Sequence, residues 1–335
     1  MVSHPLRLGI VGCGAAARLH LSALEGAARS VVTAAVDINQ TSAEAIATRT
    51  GAQVFTSFED ALASETFEAV LVLLPHHLHE DAAIAAFNAG QHVLLEKPMA
   101  STLDACARIL DAASRVERVF MVAENAQYWP EVTLAKQLLD DGAIGDVVTA
   151  RAWHCLPPMA EFLEGDDPWR LVRAHAGGGV AIDAGSHWLL PLRRWLGELV
   201  DVVAITGRPY PAMEGESMVR ALCRFETEVI ASFDIVLPPG PGVAPVPVFQ
   251  ITGTTGEIVV ELGGRVMVYD GSDPGGIVAG HGSYLQSFID QLAAFEAAVL
   301  DGVQPVAAAE YAVGELRGAL AMYRSAETRQ WEPVW

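Results

Sequence analysis

Gly9-Ile10-Val11-Gly12-Cys13-Gly14-Ala15-Ala16-Ala17 decides how the amino-terminal part of this chain folds. Leu8–Val11 is a short apolar run that stops at glycine, and Ala15–Leu24 carries Leu19, Leu21 and Leu24 in helical spacing. Gly12-x-Gly14-x-x-Ala17 therefore joins a strand to a helix. In that setting Gly12 permits the tight turn, Gly14 lets a pyrophosphate approach the backbone, and Ala17 allows close helix packing. The free N–H groups at Ala15 and Ala16 then face phosphate at the helix start. Asp37 ends the next strand, where a carboxylate accepts hydrogen bonds from an adenosine ribose. Ile38-Asn39-Gln40 follows without an arginine for a 2′-phosphate, so NAD is favoured over NADP as the expected cofactor.

Strand and helix alternate outward from this turn. Val31–Val36, Val54–Phe55, Ala69–Leu74, His92–Leu95 and Val119–Val122 read as strands, with helices over Ala43–Arg49, Phe58–Ala63, His79–Asn88 and Leu103–Ala113 between them. The strands are near-continuous Val, Leu and Ile, as expected when helices cover both faces. An α/β class with an amino-terminal doubly wound parallel sheet follows, over residues 1–124. From residue 125 to 335 the spacing becomes period-two, over Val147–Cys155, Val200–Ile205, Met218–Phe225, Val229–Val236, Val248–Ile251 and Glu257–Glu261. A second α+β domain with a mostly antiparallel sheet is expected there. Helices are expected near Val132–Leu139 and over Tyr284–Leu300 and Ala307–Ala326, and loops over Pro238–Pro247 and Gly271–Gly282. In Met218–Phe225 the residues Val219, Ala221, Cys223 and Phe225 form one apolar face, while Met218, Arg220, Leu222 and Arg224 form a mixed one suited to solvent or another subunit.

Composition removes several function classes. The 335 residues include 41 acidic and 21 basic side chains, a formal charge of −20, which repels nucleic acid and anionic membrane surfaces. Hydrophobic residues make up 51%, ample for a core and too many for a disordered chain. No run reaches the roughly 18 uninterrupted apolar residues of a membrane span. Cys13, Cys106, Cys155 and Cys223 form no Cys-x-x-Cys pair, which suits a reducing, cytoplasmic compartment. Lys97 and Lys136 are the only lysines, so an amine with catalytic duty has few candidates.

Glu96-Lys97-Pro98 closes the fifth strand at the carboxyl edge of the sheet, where this architecture binds ligands. Gly177-Gly178-Gly179 leads through Asp183 to His187, and a helix starting near Val180 would place those two side chains on one face. Taken singly, the first motif also reads as a strand-ending proline with solvated charges, and the second as a helix-start carboxylate with a core histidine. His76, His77 and His79 could chelate a metal, but no neighbouring Cys or carboxylate completes a tetrahedral set, so no metal is expected.

Together, the glycine turn, Glu96-Lys97-Pro98 and the Gly177–His187 segment resemble the Gfo/Idh/MocA family of NAD(P)-dependent oxidoreductases along nearly the whole chain. The resemblance implies a Rossmann domain followed by a substrate-binding and oligomerisation domain. It implies Lys97, Asp183 and His187 as active-site residues, and Pro75, His79, Glu96, Trp169 and Arg170 along the cofactor. Gln127 stands where many relatives carry arginine. Tyr128, Trp153, His154 and Tyr284 are the second domain's candidate substrate contacts. The expected reaction is reversible oxidation of a secondary alcohol on a sugar, polyol or related cyclic compound by hydride transfer, in a homodimer or homotetramer. His187 is the expected base, because imidazole titrates nearest neutrality, with Lys97 on the reacting oxygen and Asp183 anchoring the substrate. A redox-neutral NAD-using glycosidase or lyase, and a non-catalytic regulator on the same fold, are the alternatives.

Overall fold

The structure, a computed structural model, describes residues 4–26, 29–157, 163, 168–240, 248–261, 263–271, 276–279 and 284–335. It comprises two compact units, residues 1–124 with 288–313 and residues 125–287 with 314–335.

In the first unit β1 (Leu6–Val11), α1 (Ala15–Leu24), β2 (Ser30–Val36), α2 (Gln40–Thr50), β3 (Gln53–Phe55), α3 (Phe58–Ala63) and β4 (Ala69–Val72) alternate along the chain. A 3-10 turn over His76–Leu78 leads into α4 (His79–Asn88), followed by β5 (His92–Glu96), α5 (Leu103–Ser114) and β6 (Phe120–Ala123). The six strands pair in parallel in the order β3-β2-β1-β4-β5-β6. The order reverses between β1 and β4, the point at which a doubly wound sheet opens a crevice at its carboxyl ends. All four β4 residues are buried, as the absence of polar alternation requires. Asn39, Ser57 and Thr102 cap α2, α3 and α5 by accepting from Thr41 N, Asp60 N and Ala105 N. Helix α1 differs, because it starts on Gly14 and has no side-chain cap.

The second unit contains α6 (Pro130–Asp140), β7 (Val147–Cys155), α7 (Arg173–Ala176), α8 (Ser186–Leu196), β8 (Leu199–Gly207), β9 (Met218–Phe225) and β10 (Ile230–Val236). Then come β11 (Phe249–Gly253), β12 (Glu257–Glu261), β13 (Arg265–Tyr269), β14 (Gly276–Ala279), α9 (Tyr284–Asp301), α10 (Val313–Thr328) and β15 (Glu332–Pro333). Nine strands form one sheet, ordered β14-β13-β12-β11-β7-β10-β9-β8-β15 and antiparallel throughout except for β7 beside β10. Val219, Cys223 and Phe225 on β9 are wholly buried, whereas Leu222 on the other face is 45% exposed. The two faces of this strand differ as its alternation predicts.

Two expectations are corrected. The second domain does not run unbroken from 125 to 335, because residues 288–313 belong to the first unit. There Asp301 forks onto Arg29 at 2.6 and 2.8 Å, Glu296 bonds Ser30, and the Phe288 ring meets the edge of His20 at 4.9 Å. The span expected as a loop from Gly271 to Gly282 contains β14, which pairs with β13; residues 272–275 and 280–282 of it, like 241–247 of the other expected loop, lie outside the described residues.

Candidate active site

In the first unit the candidate site is built on the turn from β1 to α1. Gly12 has φ +88°, and a Cβ there would stand 2.5 Å from the Leu73 carbonyl oxygen. Only glycine lets the turn leave β1 so close to the end of β4. Gly14 is exposed, and a Cβ there would meet nothing within 4 Å. The open space lies at an uncapped helix start, where Ala15 and Ala16 are half-buried and Ala17 is fully buried against the sheet. Both carboxylate oxygens of Asp37 are fixed, one accepting Cys13 N and the other Asn39 N, each at 2.8 Å. Each oxygen keeps further acceptor capacity for a ribose hydroxyl. A pyrophosphate on the free N–H groups and a ribose on Asp37 fit these residues. Between them, the Cys13 thiol is pushed up to about 12 by burial and then by Asp37, so it stays neutral and unreactive.

At the ends of β4 and β5, Pro75 opens the 3-10 turn and Glu96 closes the strand. Glu96 takes His20 on one oxygen at 3.0 Å and Lys97 N on the other at 2.9 Å. His20, from α1, escaped the sequence reading because nothing local ties it to Glu96. The half-buried Lys97 follows, joined to Pro98 by a cis peptide bond. His79 opens α4. It is fully buried, with its ring nitrogens 2.9 Å from Pro98 O and 2.8 Å from Leu74 O, and burial pushes its pKa down. It braces the loop ends of two strands. Among the described residues no group of three or more His, Cys, Asp or Glu side chains could hold a metal ion.

In the second unit the segment after Gly177–Gly179 is not the helix expected from Val180. Residues 180–185 form turns, with Asp183 N bonded to Gly179 O at 3.2 Å and Gly185 N to Val180 O at 2.7 Å, and α8 starts at Ser186. A Cβ at Gly185 would stand 2.5 Å from Ala181 O, so the tight turn needs glycine there. Arg170 reaches Asp183 at 3.3 Å and stacks over Trp169 at 4.2 Å. His187 stands among aromatic rings, 6.0 Å from Trp129 and 6.3 Å from Trp188. Trp188 in turn lies 4.3 Å from His154, and Trp129 lies 6.4 Å from Tyr284. Trp129, one residue past the expected Tyr128, carried no local signal that would single it out. Burial, with His187 adding to it, lowers the His154 pKa to about 4. Successive strand residues face opposite ways, so Trp153 sits across β7 from His154, with Arg151 5.8 Å over its ring.

Comparison with known proteins identifies the family. A model described as oxidoreductase family, NAD-binding Rossmann fold, matches residues 6–124, and the GFO/IDH/MocA C-terminal domain model matches residues 132–259. The chain belongs to the Gfo/Idh/MocA family. Its amino-terminal unit is accordingly an NAD-binding domain of an oxidoreductase. The chain is 31% identical to a 1,5-anhydro-D-fructose reductase of Ensifer adhaerens over 97% of each chain. It is 32% identical to a 1-carboxy-3-chloro-3,4-dihydroxycyclo hexa-1,5-diene dehydrogenase of Comamonas testosteroni, over 68% of this chain and 57% of that one. Among solved structures, an oxidoreductase from Thermotoga maritima is 27% identical with a TM-score of 0.87, covering 99% of both chains. A levoglucosan dehydrogenase, solved with NADH and L-sorbose, shares the fold at 23% identity and a TM-score of 0.89, covering 99% of this chain and 100% of that one.

Proposed function

We propose that this Gfo/Idh/MocA protein is an NAD-dependent dehydrogenase or reductase that interconverts a secondary alcohol and a ketone on a sugar, polyol or related cyclic substrate. The observation that carries the reading is the open, uncapped start of α1 at Gly14, with Asp37 already fixed by two backbone N–H groups. Relatives named for an anhydro sugar and a dihydroxylated ring support the substrate class. So do Trp129 Nε1, Trp188 Nε1 and His154 Nδ1, which are buried near His187 and unpartnered among the described residues. A hydroxyl-bearing ring supplies both the apolar face and the hydrogen bonds that such a group lacks.

Bound NAD supplies the two-electron acceptor or donor. The Gly12–Ala17 turn holds its pyrophosphate and Asp37 its ribose, while Asp37 and the exposed Ile38 give a 2′-phosphate no cation. Lys97 hydrogen-bonds the reacting oxygen and stabilises charge that develops on it. His187 takes the hydroxyl proton during oxidation and returns it during reduction. Asp183, steadied by Arg170, anchors a substrate hydroxyl. The unpaired cysteines suit the cytoplasm.

A panel of sugars, inositols and cyclic diols, followed at the nicotinamide absorbance with NAD and NADP, tests the proposal. A net absorbance change with at least one member, and NAD bound about tenfold or more tighter than NADP, are expected. Lys97→Ala should lower turnover by about 10²–10⁴-fold while NAD affinity holds. Turnover without net absorbance change would point to the redox-neutral chemistry, and unchanged turnover in Lys97→Ala would remove the catalytic assignment.

A further inference from the structure

The backbone of Gly178 and Gly179 lies flush against Gly215 and Glu216 from the loop before β9. A Cβ at Gly179 would fall 1.9 Å from Glu216 O, and one at Gly215 would fall 2.4 Å from Gly178 O. This close approach is the physical reason for glycine at these positions. It brings Glu216 onto two consecutive amides directly and onto a third through Tyr323. Glu216 O accepts Val180 N at 2.8 Å, and Glu216 Oε1 accepts Ala181 N at 2.9 Å. The same Oε1 accepts the Tyr323 hydroxyl at 2.7 Å, and that hydroxyl accepts Gly179 N at 3.1 Å. Tyr323 comes from α10, so two distant parts of the chain converge on one short turn. Asp183 N is bonded to Gly179 O, and Ser186 Oγ to Asp183 O, so a shift of the held amides moves Asp183 and the approach to His187.

We propose that Glu216 and Tyr323 are positioning residues that clamp residues 179–181 and thereby set where Asp183 and His187 stand. The proposal rests on the roles given above to those two side chains. Neither clamp residue is asked to touch substrate. Displacement of a reacting group by about 1 Å is enough to cost on the order of 10²-fold in rate, and a side-chain oxygen with two donors on it allows little such movement. The clamp requires an acceptor at Oε1 and no charge, so glutamine can replace glutamate and alanine cannot.

The full-length protein is compared with Glu216→Ala, Glu216→Gln and Tyr323→Phe by three measurements: amide hydrogen exchange at 179–181, NMR titration of the His187 imidazole, and steady-state kinetics. In Glu216→Ala, exchange at Ala181 should quicken, the His187 titration should move, and kcat should fall by about 10–100-fold while NAD affinity is kept. Glu216→Gln should restore all three. Tyr323→Phe keeps the ring and should loosen Gly179, so it carries the test if the alanine variant does not fold. Unchanged exchange at 179–181, an unmoved His187 titration, or a glutamine variant as impaired as alanine would overturn the clamp. The exchange and titration need no substrate, so an enzyme inactive on every sugar would sink the proposed function and leave the clamp judged on its own.

Discussion

His154 shows how one buried side chain ties sequence, stability and pH together. Its imidazole packs against Trp188 and has a pKa near 4, first because burial disfavours the cation and second because His187 is close. In the unfolded chain the same ring titrates near about 6.5. The folded pKa is the lower one, so the unfolded state binds protons more readily as pH falls from about 6.5 toward 4. Its contribution is complete above about 6.5 and is lost across that window, up to about 3 kcal/mol in all. The seven tryptophans, Trp129, Trp153, Trp169, Trp188, Trp195, Trp331 and Trp335, all fall in the second unit, so intrinsic fluorescence follows that unit alone. Urea midpoints read by fluorescence should drop on acidification, and His154→Gln should flatten that drop. An identical pH dependence in the two proteins would mean that His154 is as easily protonated in the fold as outside it.

At the level of elements, the two fingerprint glycines are expected to fail in different ways. Gly12→Ala puts a Cβ against the Leu73 carbonyl at a positive φ, so it should destabilise the first unit by about 2 kcal/mol or more and lower its melting temperature. Gly14→Ala meets open space, so the fold should melt as before while NAD affinity falls, measured by calorimetry. A Gly14→Ala protein with full NAD affinity would show that the open space is not where the cofactor lies. This turn was legible in the sequence because strand, glycine and helix are local signals, and α4, β7 and β9 were legible because their periodicity is uninterrupted. The start of α8 was not, because the turns over 180–185 are fixed by backbone contacts of Gly179 with Glu216 and of Gly185 with Ala181. Trp129 stands beside His187 only through tertiary packing. The return of residues 288–313 to the first unit brings Asp301 to Arg29, Glu296 to Ser30 and Phe288 to His20, pairings no periodicity announces.

At the scale of the whole molecule, the second unit carries a surface that one copy does not explain. On one face of its sheet Ile205 is 60% exposed, Leu222 45% and Ile230 42%. These residues are not scattered. Leu222 pairs across strands with Val203 and Ser232, Arg220 with Ile205 and Asp234, and Ile230 with Arg224 and Thr149. Ion pairs of Arg224 with Asp201 and Arg220 with Asp234 sit between the apolar side chains. Exposed apolar side chains with their neighbouring charges already paired suit burial in an interface, and a regular sheet face can meet a second copy of itself about a two-fold axis. A dimer or tetramer joined through this face is therefore expected at micromolar concentration, measured by sedimentation velocity. Leu222→Glu places a carboxylate near the centre of the face, opposite its own copy or close to it, and should shift the protein toward monomer while leaving the melting of the fold unchanged, because Leu222 is not part of the core. A wild-type protein that sediments as a monomer would leave these side chains to another partner, and a Leu222→Glu oligomer as tight as wild type would move the interface off this sheet.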